Sequence, residues 1–228
     1  MRSNGIHQFE HLKRTKKITT DPRYTDRVNR VATRLRKVID LPGAEWEFVV
    51  FKDNSANAFC LPGGKVGINT GVFQITGNDD ALLAAVLGHE ISHATANHAG
   101  QRMYRVFLHL ITGAFIWHAM EENGVDHANE TIATYAMAAY VFDNLALSRR
   151  QEYESDKMGA IFMAKAGYDP RKSVLLWKLL KSHHFTHGNQ KPEFLRTHPH
   201  DATRIKELEK FMPVAMRVYR ASKQPGTR

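Results

Sequence analysis

The sequence predicts an α+β chain, mainly helical, with a small three- to four-stranded sheet beside one helix that carries paired histidines. Three observations support that reading. Apolar residues recur at helical spacing over most of the 228 residues. One stretch, Trp46 to Asn69, changes to strand chemistry, opening with Trp46, Phe48, Val49, Val50 and Phe51. His89 and His93 stand four apart in an apolar run that begins at Ala81, so both imidazoles leave the same helix face.

Asn4 to Lys17 shows a weak helical stripe of Ile6, Phe9 and Leu12. Pro22 sits where a first helical residue would, with Asp21 as its cap. Val28, Val31, Leu35 and Val38 then predict a helix over 22–39, stopped before Leu41-Pro42-Gly43. Three strands follow: Trp46 to Phe51, Ser55 to Leu61 and Lys65 to Asn69. Pro62-Gly63-Gly64 joins the last two as a hairpin, and its edge suits a peptide laid along it by main-chain hydrogen bonds. Gly64-Lys65 is no phosphate loop, because Phe59 stands where a glycine is needed and Val66 where Ser or Thr is.

Asn78-Asp79-Asp80 supplies a cap and first-turn acids for the helix of the paired histidines. Val106 to Met120, about 15 residues, carries no formal charge and falls short of the ~20 that span a bilayer. Thr131 to Phe142 is a second apolar run, and Glu121-Glu122-Asn123-Gly124 separates the two. The expectation is a buried helical pair packed over the histidine helix; the alternative for 106–142 is a hairpin that meets a membrane surface. Ser148 to Lys165 reads as a separate helix, with a capping box from Ser148 to Gln151. Gly167 ends it, and Asp169-Pro170 opens another to about Ser182. His183, His184 and His187 read as a polar loop. A last helix is expected from Pro199, with a bend at Pro213. The domain reading is a helical extension over 1–20, one main domain over 21–215 and a basic tail over 216–228.

Apolar content of 43% and charged content of 24% are ordinary for a soluble globular protein. The net charge of +9 gathers near the ends, at Lys13-Arg14-Lys16-Lys17 and from Arg217 to Arg228. That balance reads as a solvated face. No aromatic-interleaved basic motif is present, so nucleic acid is not an expected partner. Cys60 is the only cysteine, which excludes an intramolecular disulfide and a thiolate zinc cluster. Met1 to Lys17 lacks the apolar core of a signal peptide.

His89-Glu90-Ile91-Ser92-His93 is the H-E-x-x-H pattern of zinc metallopeptidases. Two imidazoles reach one cation, and Glu90 reaches a water beside it. A catalytic zinc needs a third protein ligand and an open position. His98 is off register for H-E-x-x-H-x-x-G-x-x-H, since Ala96 and Ala99 stand at the required Gly and His; it reads as a supporting or surface residue. Glu152 is the better candidate. Asp156, four residues on, shares its helix face and can accept a ligand histidine's N–H, while Glu154 points elsewhere. Spacing alone equally allows Glu152 to be an exposed carboxylate paired with Arg149.

His89-Glu90-x-x-His93, followed after an apolar interval by Glu152-x-x-x-Asp156, resembles the gluzincin metallopeptidases of the HtpX, BepA and CAAX-prenyl-protease type, peptidase family M48. Further matches to its soluble-domain branch are Asn57 to Gly64, Asn69-Thr70-Gly71, and Thr197-His198-Pro199 with Arg204. The likeness runs from about residue 20 to 215. It extends to bacterial envelope quality-control peptidases and to the family's mitochondrial inner-membrane stress protease. Cys60 departs from the pattern, where Ala is common.

The resemblance implies a zincin-like (gluzincin) fold and one zinc ion per chain, held by His89, His93 and Glu152. It implies Glu90 as general base and Asp156 as orienter of a ligand. His198 and Arg204 are implied near the metal, either stabilising the oxyanion or, for His198, filling the fourth position in a resting form. The implied substrates are unfolded or damaged proteins, and the implied setting is periplasmic or membrane-associated. The expected activity is therefore zinc-dependent peptide hydrolysis in protein quality control. The alternative is a non-proteolytic holdase or assembly factor with a latched site.

Overall fold

The computed structural model describes residues 2–186, 193–198 and 202–224, with the side chains of 139–147 and 183–186 left aside. Its helices are α1 (Arg2–Thr15), α2 (Pro22–Leu35), α3 (Val72–Thr76), α4 (Asp80–Thr95), α5 (His98–Glu122), α6 (Ala128–Lys165), α7 (Arg171–Thr186), α8 (Glu193–Thr197) and α9 (Ala202–Lys223). The strands are β1 (Glu47–Phe51), β2 (Ala58–Leu61) and β3 (Lys65–Asn69). The chain is mainly helical, with one three-stranded sheet of order β1-β3-β2.

Two compact units emerge: Met1–Ala96 with Glu152–Arg228, and Asn97–Gln151. In the first unit β3 is central, parallel to β1 and antiparallel to β2. β2 pairs with β3 as the hairpin, which leaves the other side of β3 for β1. The turn holds because Gly63 (φ +95°) and Gly64 (φ +81°) take the left-handed backbone that the tight reversal needs. Every residue of β3 is buried. α2, β2, α3 and α7 pack around α4, whose residues Leu82 to Ser92 are all buried. A helix apolar on all sides is the one that a core encloses.

Several boundaries differ from expectation. α2 ends at Leu35, because Arg36 already caps it and Lys37 and Val38 turn away. Ser148 caps nothing: α6 runs unbroken from Ala128 to Lys165, since no Gly or Pro interrupts Phe142 to Ser148. His183 and His184 extend α7 rather than open a loop; His187 lies outside the described residues, as does Pro199. The last helix starts at Ala202 and carries Pro213 inside it. The tail expected over 216–228 is helical through Lys223, and 225–228 lie outside the described residues. The short helices α3 and α8 are too brief to leave a periodic trace in the sequence.

The second unit is a helical hairpin of α5 and the first part of α6, turned at Asn123 and Gly124 (φ +63°). The two helices meet along a narrow seam, where His109 Nδ1 lies 3.3 Å from the Tyr135 hydroxyl and Trp117 Nε1–H donates to Asn129 Oδ1 at 3.0 Å. The expected burial fails here. Met103, Tyr104, Phe107, Leu110, Ile111 and Phe115 are all exposed. No helix among the described residues is long and apolar enough to cross a membrane.

Candidate metal centre

The centre lies within the first unit and begins with α4. Asp79 caps that helix by accepting from Ala81 N and Leu82 N. The helix then carries His89, Glu90 and His93 into the core, where His89 and Glu90 are buried. α6 crosses α4 where two glycines meet. A Cβ on Gly159 would sit 2.9 Å from the His89 backbone nitrogen, and one on Gly88 would sit 3.1 Å from the Gly159 carbonyl. Only this close approach brings Glu152 and Asp156, on the preceding turns of α6, onto the histidines.

Four residues then converge. His89, His93, Glu152 and His198 present donor atoms that all lie within 4.8 Å of one another. His89 Nε2 is 3.2 Å from His93 Nε2, 3.2 Å from His198 Nδ1 and 3.3 Å from Glu152 Oε2. Glu152 Oε1 is 3.3 Å from His93 Nε2 and 3.0 Å from His198 Nδ1. Ligands at about 2.0–2.1 Å from a tetrahedral cation stand about 3.4 Å apart, so these spacings are close to those of a small coordination shell. The donor set fits a divalent metal.

A second layer fixes the donors. His89 Nδ1 lies 3.0 Å from Asp156 Oδ1, a charge contact off the line of a hydrogen bond, and a proton drawn to that side leaves Nε2 for the cation. Asp156 accepts from Trp177 Nε1 at 3.0 Å, from Arg204 Nε at 2.9 Å and from Arg204 Nη2 at 2.8 Å. Arg204 also reaches Glu152 Oε2 through Nη1 at 2.9 Å, and its guanidinium lies 3.7 Å from the Trp177 ring centre. Its three nitrogens are thus committed to two carboxylates, and the residue is 1% exposed. His198 is held through Nδ1, and its Nε2 stands 3.2 Å from Glu90 Oε1, a charge contact without hydrogen-bond geometry.

In the field of the protein groups alone, burial raises the Glu152 carboxyl, but His198, His89 and His93 outweigh it and hold it far below the carboxylate range. Burial likewise raises Asp156, and Arg204 and His89 more than reverse that. Burial pushes His93 down to about 4, which keeps its nitrogen free of a proton and available as a donor. Burial lowers His198 too, but Glu90 and Glu152 lift it to about 10. β2 lies close by: burial first, then the Glu90 carboxylate, pushes the Cys60 thiol up.

A model of peptidase family M48 matches residues 22–212. The chain belongs to that family. Among its relatives are the mitochondrial metalloendopeptidase OMA1 of Saccharomyces cerevisiae, 30% identical over 187 residues, and the mitochondrial metalloendopeptidase OMA1 of Homo sapiens, 33% identical over 187. The alignments cover 80% and 78% of this chain but 51% and 35% of those proteins. The beta-barrel assembly-enhancing protease of Escherichia coli is 24% identical over 209 residues, covering 88% of this chain and 41% of that protein. The chain thus spans about half or less of the length of these relatives. Family membership implies a metal.

In this M48 chain all seven residues singled out from the sequence, His89, Glu90, His93, Glu152, Asp156, His198 and Arg204, gather in one place. Glu152 is buried, so the reading that paired it at the surface with Arg149 fails. His98 is no surface residue either; it is buried and outside the donor cluster. Trp177 went unrecognised because, in the apolar stripe Val174, Trp177 and Leu180, it reads only as core. The Gly88–Gly159 crossing was missed as well, although a glycine inside a long helix costs about 1 kcal/mol and so marks a packing need.

Proposed function

We propose that this chain is a zinc-dependent metalloendopeptidase of gluzincin type. His89, His93 and Glu152 are its metal ligands and Glu90 is its general base. The donor chemistry supports zinc, since imidazole and carboxylate in a near-tetrahedral set suit that ion. Bound zinc supplies Lewis acidity, which lowers the pKa of water at the site and polarises the scissile carbonyl. Glu90 accepts the proton of the attacking water and returns it to the leaving amine. Asp156 keeps His89 in the tautomer that presents Nε2. Arg204 is a positioning residue rather than an oxyanion donor, because its nitrogens are held by Asp156 and Glu152. The outer edge of β2 serves as the ledge for an extended substrate, and unfolded or damaged chains fit it because they can present a free backbone. A mitochondrial metalloendopeptidase and a beta-barrel assembly-enhancing protease among the relatives, with the family resemblance, support a role in protein quality control at or near a membrane.

One observation carries most weight: His198 Nδ1 stands beside His89 Nε2 and Glu152, while its Nε2 lies 3.2 Å from Glu90 Oε1. This geometry supports a resting form in which His198 holds the fourth position and occupies the base, so peptide entry requires it to swing out. The same geometry supports the second reading, a latched holdase. Two variants separate them. Glu90→Gln should retain the metal and lose casein hydrolysis by about 100-fold or more. His198→Ala should raise hydrolysis. A metal-loaded His198→Ala protein as inactive as the parent would favour the holdase.

A further inference from the structure

We propose that the α5–α6 hairpin is a self-association surface, on which α5 packs antiparallel against α5 of a second copy of this chain. The starting point is an anomaly of burial. Leu110 is 68% exposed, Met103 59% and Phe107 57%, although water-facing helices place polar residues there. The seam to α6 uses one stripe of α5, made of His109, Gly113, Ile116 and Met120. About a quarter-turn away runs a second stripe: Met103, Phe107, Leu110, Ala114, Trp117 and Glu121, all exposed, with Trp117 also reaching back to Asn129 of α6 through Nε1–H. Its spacing alternates four and three without a break. That 3.5-residue period lets one helix pack along another, and Tyr104, Leu108, Ile111 and Phe115 widen the exposed apolar face beside it.

The occupant follows from size and charge. Laid antiparallel on its own copy, the stripe places Phe107 opposite Trp117, Leu110 opposite Ala114 and Met103 opposite Glu121. Large side chains thereby meet small ones, and aromatic meets aromatic. The hairpin is also polar along its length. Its base carries Arg102, Arg149 and Arg150, all exposed; Gln151 ties the two helices together there, donating to the His98 carbonyl and to Gln101 Oε1. Its tip carries Glu121, Glu122, Asp126 and Glu130, also exposed. A parallel pair would set tip on tip and base on base. Only the antiparallel pair sets acid against base at both ends. A bilayer fits less well: the charge-free run of about 15 residues is short of a span, and an anionic leaflet would repel the acidic tip.

Sedimentation equilibrium of the full chain at micromolar concentration tests this. The expected mass is twice 25.9 kDa, falling to the single mass in Leu110→Glu with an unchanged far-ultraviolet spectrum. A charge exchange adds a test that leaves the apolar residues from Met103 to Trp117 intact. Glu121→Lys with Glu122→Lys makes a chain basic at the base and near neutral at the tip. Arg102→Glu with Arg149→Glu and Arg150→Glu makes one acidic throughout. Each alone should associate at least tenfold more weakly than the parent, and an equal mixture of the two should recover the double mass. A parent that stays monomeric overturns the proposal, as does a dimer unaffected by Leu110→Glu or a mixture that does not associate. A monomeric parent that instead floats with vesicles of anionic phospholipid would assign the surface to lipid.

Discussion

Arg204 shows how one side chain can hold a site it does not serve chemically. Its guanidinium bridges Asp156 and Glu152 and lies on the face of Trp177. Two carboxylates packed this closely repel one another, and the fork geometry of Arg lets one cation satisfy both. Removing it leaves Asp156 without its main partner and takes a cation away from Glu152. Arg204→Ala should therefore destabilise the fold by about 3–5 kcal/mol in urea titration, and it should weaken metal binding too. Arg204→Lys keeps the charge but not the fork, so it should recover only part of that loss. If Arg204→Ala unfolded at the parental midpoint and bound metal normally, the bridging role would be wrong.

At the scale of elements, the site depends on where helices cross. α4 and α6 touch backbone to backbone at Gly88 and Gly159. Gly159→Ala puts a methyl group 2.9 Å from the His89 nitrogen, so the helices must part and carry Glu152 away from the histidines. The expected cost is about 1–3 kcal/mol of stability, with metal affinity falling about tenfold or more in a competition titration with a chromogenic chelator. Unchanged affinity would mean that Glu152 is not held in place by this crossing. α2 is joined to α4 by charge: Asp80 receives Arg30 Nε at 2.6 Å and Arg27 Nε at 3.1 Å. Burial alone would raise the Asp80 carboxyl, but Arg30 and Arg27 hold it below the usual carboxylate range. A carboxyl lowered in the folded state stabilises above its unfolded pKa of about 3.9 and loses that contribution as the pH falls through the lower folded value. Asp80→Asn should therefore cost about 1 kcal/mol near neutral pH, and that cost should fade as the pH drops through the lowered folded value. A cost that persists undiminished in acid would contradict the linkage.

These elements also show what the sequence could reveal. The histidine helix, its Asp79 cap, the hairpin at Gly63-Gly64 and the Glu152–Asp156 face were all legible, because each is set by neighbours within a few residues. The unbroken α6 was not. Ser148 and Gln151 satisfy a local capping rule, and only the absence of a breaker between Phe142 and Ser148 argues against it. The exposure of α5 was illegible for a different reason. Its apolar residues look alike whether this chain or another covers them, and only the strict alternation of four and three hints at the difference.

At the scale of the whole molecule, the metal centre is a concentration of charge that the first unit would not bury unaided. Glu90, Glu152 and Asp156 are buried beside a single guanidinium, Arg204, a surplus of two negative charges within the packing of α4, α6 and α9. A proton on His198 offsets one of them, and a dication can neutralise both while replacing the contacts among the imidazoles. Metal affinity and fold stability should therefore be one quantity measured in two ways. With metal at a thousand times its Kd the gain is about 4 kcal/mol, which for a chain of this size raises Tm by about 10 °C. Adding a chelator to the purified protein should remove that increment, and re-adding zinc should restore it. In His93→Ala the chelator-dependent part should shrink toward zero, because a donor is gone. A parent protein whose Tm ignores chelator, in a preparation shown by elemental analysis to lose its zinc, would mean that the centre folds without the ion, and the surplus charge would then have to be met by protons on the histidines alone.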